Sequence, residues 1–272
     1  MVPVQGVAVS AVPSRLSSPQ RYLLMIDVTL LPSPETTNAD LVYAIGDVHG
    51  RLDLLDKMER AVAADIQAVK PSKPVICYLG DYIDRGPHSG QVIDRLSSPF
   101  EDDVSRVFLR GNHEDRMIDF LEAPRENGPG WMKYGGMDAF ESYGLSVPEI
   151  HDDDDWLTLR DRLLEVLPAS HQEFLQGLRL GLVWRDYLFV HAGVDPARPL
   201  SMQAPHDLMW IREPFLSSDQ DWGMRVVHGH VIVDEPVFRA NRIGIDTGAY
   251  KSGRLTCLAI DELGTRVIEA AE

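Results

Sequence analysis

The sequence predicts an α/β fold, on three observations. Short apolar runs recur along the chain, and most of them stop at a glycine or a histidine. A stretch with apolar residues at three- and four-residue spacing lies between the first two runs. Clusters of Asp, His, Asn and Gly directly follow the runs. Strand, polar loop, helix and strand in that order is the α/β rhythm, and sites in open α/β sheets form at the carboxyl ends of strands. The 272 residues, 44% hydrophobic and 25% charged, suit one sizeable folded domain or two small ones.

The elements follow in chain order. Leu41 to Ile45 is an apolar run ending at Gly46, the mark of a buried strand. Leu54, Leu55, Met58, Val62, Ile66 and Val69 then repeat with helical spacing, and Pro71 and Pro74 stop the helix. Val75 to Leu79, Val104 to Leu109, Tyr187 to Val190 and Arg225 to Val227 read as further strands, and Ile243 to Ile245 and Leu255 to Ile260 close the chain. Residues from about 119 to 180 read as a mostly helical insertion able to wall a site. Residues 1–38, rich in Val, Ser and Pro, read as a disordered N-terminal arm, with Met25 an alternative start. Residues 39–272 then form a single catalytic domain. The arm lacks a basic start, an apolar run and a cleavage site, so a secretory signal is rejected and a cytoplasmic location expected. No stretch is long and apolar enough to span a bilayer.

Composition excludes several classes. A formal net charge of −16 disfavours non-specific nucleic-acid binding. Two distant cysteines, Cys77 and Cys257, disfavour a disulfide framework or a thiolate zinc site. The run Asp152 to Asp155 lacks the alternation and glycine of a calcium loop and reads as a helix start. No GxSxG, cysteine nucleophile loop or Walker loop is present.

Five short motifs carry chemistry: Gly46-Asp47-Val48-His49-Gly50, Gly80-Asp81-Tyr82-Ile83-Asp84-Arg85-Gly86, Arg110-Gly111-Asn112-His113-Glu114, His191-Ala192-Gly193 and His228-Gly229-His230. Asp and His together suit borderline cations such as Mn, Fe and Zn. Asp47 and His49 can face one ion from a tight turn, Asp81 can bridge two, and Asn112, His191 and His230 supply further donors. Two metals so held would clamp the attacking and departing oxygens of a phosphoryl group. Arg85 and Arg110 offer guanidinium forks to phosphate. His113 can give a proton to the leaving oxygen, with Asp84 holding its imidazole. His228 and His230 share one side of an extended segment, so alternation does not separate them. His230, nearer the strand end, is taken as the ligand and His228 is the alternative.

Together the motifs resemble the phosphoprotein phosphatase branch of the calcineurin-like metallophosphoesterases, in its bacterial and phage form, over roughly residues 41 to 260. The resemblance implies a four-layer α/β/β/α sandwich with a dinuclear metal site at the strand ends. It implies Asp47, His49 and Asp81 as protein ligands of the first ion, and Asp81, Asn112, His191 and His230 of the second. Manganese is expected first, with iron or zinc as alternatives. His113 and Asp84 resemble the acid pair. Arg85 and Arg110 resemble phosphate binders, with Arg212, after Trp210, as the third. Val231 departs from the threonine that relatives often carry after Gly-His. The implied reaction is one-step phosphomonoester hydrolysis by a metal-bridging hydroxide, with no phosphoenzyme. Phosphoserine and phosphothreonine in proteins are the expected substrates, with phosphotyrosine beside them, and a small phosphoester also fits. The runner-up is a symmetrical dinucleoside polyphosphate hydrolase, disfavoured by Asp84 and Glu114. An inactive regulatory module is disfavoured by the complete ligand set, and a diesterase by Ile232. The oligomeric state is not predicted.

Overall fold

The computed structural model describes residues 34–36 and 38–272. The arm read over residues 1–38 lies outside the described residues, apart from residues 34–36 and 38. Pro34–Thr36 forms a 3-10 turn. Thr36 Oγ1 donates to the Val183 carbonyl at 3.0 Å and Glu35 pairs with Arg179 at 2.6 Å. The packed body therefore includes residues ahead of the expected boundary at 39.

Among the described residues, ten strands form two five-stranded sheets. The first has the order β10-β9-β1-β2-β3, built from β1 (Leu41–Ile45), β2 (Pro74–Tyr78), β3 (Ser105–Phe108), β9 (Arg254–Asp261) and β10 (Gly264–Ala271). The second has the order β4-β5-β6-β8-β7, built from β4 (Gly181–Trp184), β5 (Tyr187–Val190), β6 (Arg225–His228), β7 (Val237–Phe238) and β8 (Arg242–Gly244). The inner strands β1–β2–β3 and β5–β6–β8 run parallel, and antiparallel strands flank both sets. Parallel strands bring their carboxyl ends to one edge, which is why the polar loops of distant segments meet.

Side-chain alternation sorts the chain into layers. Val42, Ala44, Val75, Cys77 and Leu258 pack between the sheets against Trp184, Phe189, Val227 and Ile243. Leu41, Tyr43, Ile45, Ile76 and Tyr78 point to the other face of the first sheet, against the helices. Leu188, Val190 and Val226 point outward from the second sheet, under Leu208 and Phe215. The expected four layers are therefore present, the last being thin: α8 (Pro205–Trp210) and its flanking loops.

The helical layer begins with α1 (Leu52–Val69), which buries Leu54, Leu55, Met58 and Val62. Next come α2 (Ser89–Ser97) and a run from α3 (Asn112–Glu122) through α4 (Pro124–Lys133), α5 (Gly136–Ser142) and α6 (Asp153–Val166) to α7 (Ala169–Gly177). Helix α4 continues through Asn127-Gly128-Pro129-Gly130, against local propensity. Tertiary contact decides it: a Cβ on Gly128 would lie 2.3 Å from the Trp156 ring, so only glycine lets α6 approach. Asp152 caps α6, accepting from the N–H groups of Asp154 and Asp155, and Asp155 accepts back from Asp152. A four-residue helix, α9 (Ala249–Ser252), precedes β9. Among the described residues, no helix is long and apolar enough to cross a membrane.

Candidate active site

The five motifs leave the carboxyl ends of β1, β2, β3, β5 and β6. Their loops are tied together by backbone. The N–H groups of Val48 and His49 donate to the Asp81 carbonyl at 3.0 and 2.8 Å. The Glu114 carboxylate is fully buried and accepts from the N–H groups of Gly111, Asp81 and Tyr82 at 3.0, 2.9 and 2.7 Å. Glu114 thus staples the loop after β2 to the start of α3. Burial raises its pKa to about 8, with the Asp81 charge acting in the same direction. Close approach matters here: a Cβ on Gly111 would fall 2.1 Å from Asp81 Oδ1.

Five non-glycine residues of these loops adopt left-handed backbone: His49, Asp81, Asp84, Arg85 and His230, with φ between 45° and 70°. Each costs on the order of 1–2 kcal/mol, met here by the packed loops around it.

Asp81 is the centre of the cluster. Its Oδ2 lies 3.5 Å from His49 Nε2, 3.4 Å from His191 Nε2 and 3.9 Å from His113 Nε2. In each of these rings Nδ1 is fixed from behind. It meets the Ile83 carbonyl for His49 at 2.8 Å, the Leu79 carbonyl for His191 at 2.9 Å and Asp84 Oδ2 for His113 at 2.6 Å. Such outer contacts set the tautomer and aim Nε2 inward. Asn112 Oδ1 lies 3.0 Å from His191 Nε2 and 2.8 Å from His230 Nδ1. Asp47 Oδ2 accepts from the His230 backbone N–H at 3.0 Å.

Two groups could each hold a cation: His49, Asp81 and His113, and Asp81, His191 and His230, with donor atoms within 4.8 Å of one another. Asp81 belongs to both. Burial opposes charge on Asp81, yet the imidazoles of His191, His113 and His49 hold its carboxyl well below the usual range. Burial also lowers His49 and His191 and brings His230 down to about 3, leaving neutral rings with lone pairs to offer. The mixed nitrogen and oxygen donors fit a pair of borderline divalent ions.

The arginines differ in placement. Arg85 Nη1 donates to His49 Nε2 at 3.1 Å, and its guanidinium lies 4.8 Å from the Tyr250 ring. Arg212 Nε donates to His230 Nε2 at 3.3 Å from an exposed position. Arg110 stands beside the cluster: its guanidinium is 3.8 Å from Asp115, and its buried Nε has no partner among the described residues.

Two neighbours, Asp246 and Tyr250, were absent from the sequence reading, and a third, Trp131, was read only as a residue of the insertion. Asp246 is buried beside Asp47 and accepts from the Gly248 N–H at 2.8 Å; burial pushes it up to about 6. Burial and Asp246 together raise Asp47 well above the usual carboxylate range. Tyr250 packs edge-on against His49, with ring centroids 5.3 Å apart. Trp131 donates to Asp84. Asp246 was discoverable, since it follows the apolar run Ile243 to Ile245 as the other acids follow theirs.

His228 lies elsewhere. It is buried, with Nδ1 3.0 Å from the Gly229 carbonyl and its ring edge-on to Phe215 at 5.1 Å. Burial lowers it to about 4. The folded state therefore keeps His228 neutral at pH values where the unfolded chain, near pKa ~6.5, takes up a proton. Stability is expected to fall as pH drops through that window, by about 3 kcal/mol in full near pH 4. Urea midpoints of the metal-free protein and of His228→Leu should diverge below pH 6.5 and show no such divergence above it. Parallel curves would rule the effect out.

The calcineurin-like phosphoesterase family profile matches residues 41–252. The chain belongs to the calcineurin-like phosphoesterase family. It is 27% identical over 239 residues to serine/threonine-protein phosphatase 2 of Salmonella typhimurium, covering 82% of this chain and 95% of that protein. It is 25% identical over 240 residues to the asymmetrical bis(5'-nucleosyl)-tetraphosphatase of Anoxybacillus flavithermus, covering 81% and 91%. A solved structure assigned provisionally as a diadenosine tetraphosphatase superposes with a TM-score of 0.58 at 18% identity, over 89% of this chain and 96% of that one, which establishes the fold. Family membership makes this calcineurin-like phosphoesterase a metal-dependent phosphoester hydrolase.

Proposed function

We propose that the chain is a dinuclear-metal phosphomonoesterase acting on phosphoserine and phosphothreonine in proteins. The observation that carries the substrate class is the His113–Asp84 contact of 2.6 Å, with His113 Nε2 buried and turned toward Asp81. A serine or threonine alkoxide is a strongly basic leaving group and needs a proton as the P–O bond breaks. A nucleoside phosphate leaves readily without one. Burial disfavours charge on His113, but the Asp81 carboxylate and the Asp84 hydrogen bond raise its pKa above the usual imidazole value. The ring can therefore carry the proton that the alkoxide requires.

The ions, manganese in the first instance, supply an activated water and positive charge against the phosphoryl oxygens when bound. Asp47, His49 and Asp81 would hold one of them; Asp81, Asn112, His191 and His230 would hold the other. Arg85 and Arg212, at the two ends of the cluster, bind the phosphoryl oxygens, and Arg110 approaches from the loop between β3 and α3. His113 Nε2 protonates the departing oxygen while Nδ1 stays on Asp84. The protein works as a cytoplasmic enzyme on phosphorylated partners.

The second reading is dinucleoside polyphosphate hydrolysis. It is favoured by relatives named asymmetrical tetraphosphatases, which shifts the alternative from the symmetrical cleavage expected from sequence. A kcat/KM panel of phosphoserine peptides and diadenosine tetraphosphate decides between the two, with EDTA-treated enzyme as the blank and manganese for rescue. Preference for the peptide and full loss in EDTA are expected. Preference for the dinucleotide would replace the first reading; products ADP alone, or ATP with AMP, would then distinguish the two cleavages. Full activity in EDTA would remove the metal scheme.

A further inference from the structure

A buried contact joins the helical layer to the catalytic loops. Trp131, on α4, is fully buried, and its indole N–H donates to Asp84 Oδ2 at 2.9 Å and Oδ1 at 3.2 Å. The same Oδ2 meets His113 Nδ1 at 2.6 Å. The indole is itself fixed, with Phe120 and Phe140 packed on it at centroid distances of 5.1 and 5.3 Å. A Cβ on Gly135, between α4 and α5, would fall 2.9 Å from the Arg85 backbone nitrogen, so this turn packs directly against Arg85. Asp84 and Arg85, neighbours in left-handed backbone, are thus both braced from the α4–α5 segment.

We infer that Trp131 is a positioning residue for the general acid, fixing the Asp84 carboxylate so that His113 Nε2 stays aimed at the leaving oxygen. The inference deepens the phosphomonoesterase reading and rests on it. An indole N–H can only donate, so it takes up acceptor capacity of Asp84 that His113 does not use. The carboxylate is left with one orientation, and the imidazole with one as well. In the step served, the P–O bond to the substrate oxygen breaks and its electron pair goes to that oxygen. The Nε2 proton of the imidazolium follows it, and the ring is left neutral with Nδ1–H on Asp84. Water forms the new P–O bond and leaves one proton on the phosphate; its other proton passes to solvent, from which the imidazole is reprotonated.

A leaving-group comparison reads this role. A serine alkoxide depends on the acid; p-nitrophenolate departs without it. Trp131→Phe removes the N–H, and benzothienylalanine placed at position 131 removes it while keeping the ring shape. Both are expected to lower kcat on a phosphoserine peptide on the order of tenfold, with KM and p-nitrophenyl phosphate turnover unchanged. Metal content, measured by mass spectrometry, should match that of the unaltered protein. Equal losses on both substrates in the position-131 variants, or no loss on either, would overturn the proposal. His113→Asn is run in parallel. If it splits the two substrates and the position-131 variants do not, only the Trp131 role is lost. If it does not split them, the acid assignment fails and the Trp131 role fails with it.

Discussion

Replacing His113 with asparagine is expected to lower kcat on phosphoserine peptides by roughly 10²- to 10⁴-fold, the usual contribution of a positioned acid. KM should change little, because the proposed role of the ring is to give a proton to the leaving oxygen as its bond breaks, a contact that matters in the transition state. The loss on p-nitrophenyl phosphate should be much smaller. Metal content separates this role from its rival. His113 Nε2 is 3.9 Å from Asp81 Oδ2 and falls in one of the two cation-competent groups, with His49 and Asp81. A ligand histidine, once removed, takes its ion with it; an acid does not. His113 differs from His49 and His191 in what stands behind Nδ1: a carboxylate in place of a backbone carbonyl. A carboxylate stabilises the imidazolium, and burial against carbonyls alone favours the neutral, metal-binding ring. Two ions retained with kcat lost would support the acid role, and an ion lost would make His113 a ligand.

The same contrast shows what the sequence could and could not carry. Strand-end motifs were legible because parallel strands put their polar loops on one edge, and each loop kept its Asp, His or Asn within a few residues of a glycine. The edge strand β10 was not, because Thr265, Arg266 and Glu269 leave it too polar to read as an apolar run. Trp131 was legible as a residue of the insertion and not as a partner of Asp84, since 47 positions separate them and α4 itself defies its Gly and Pro content. His171 carries no sequence signal of its place; it lies on α7, buried between Tyr143 and Asp94. The His228–His230 pair fails for a sharper reason. Alternation places both on one side only if the strand continues, but β6 ends at His228 and His230 takes φ 65°. The turn sends His230 to Asn112 and leaves His228 against Phe215.

Asp81→Asn should have the largest effect of any single substitution, with bound metal falling from two ions toward none and turnover falling to the blank. Among the described residues Asp81 is the one common to both cation-competent groups, so its loss weakens both sites where loss of His49 or His230 weakens one. The change is a clean one for the backbone. Asp81 has φ 52°, and asparagine tolerates left-handed backbone as well as aspartate does. The His113 N–H, which donates to Asp81 Oδ1 at 3.0 Å, still finds an amide oxygen. What disappears is the negative charge and one oxygen at the point where three imidazole nitrogens converge within 3.9 Å. The amide NH₂ would instead donate to those lone pairs and close the space an ion needs. The variant should therefore stay folded by circular dichroism, bind little manganese in a titration, and show no rescue when manganese is raised. Retention of two ions with near-normal turnover would mean that Asp81 bridges nothing, and the second ion would need another anionic ligand, for which Asp47 with its buried neighbour Asp246 is the nearest source.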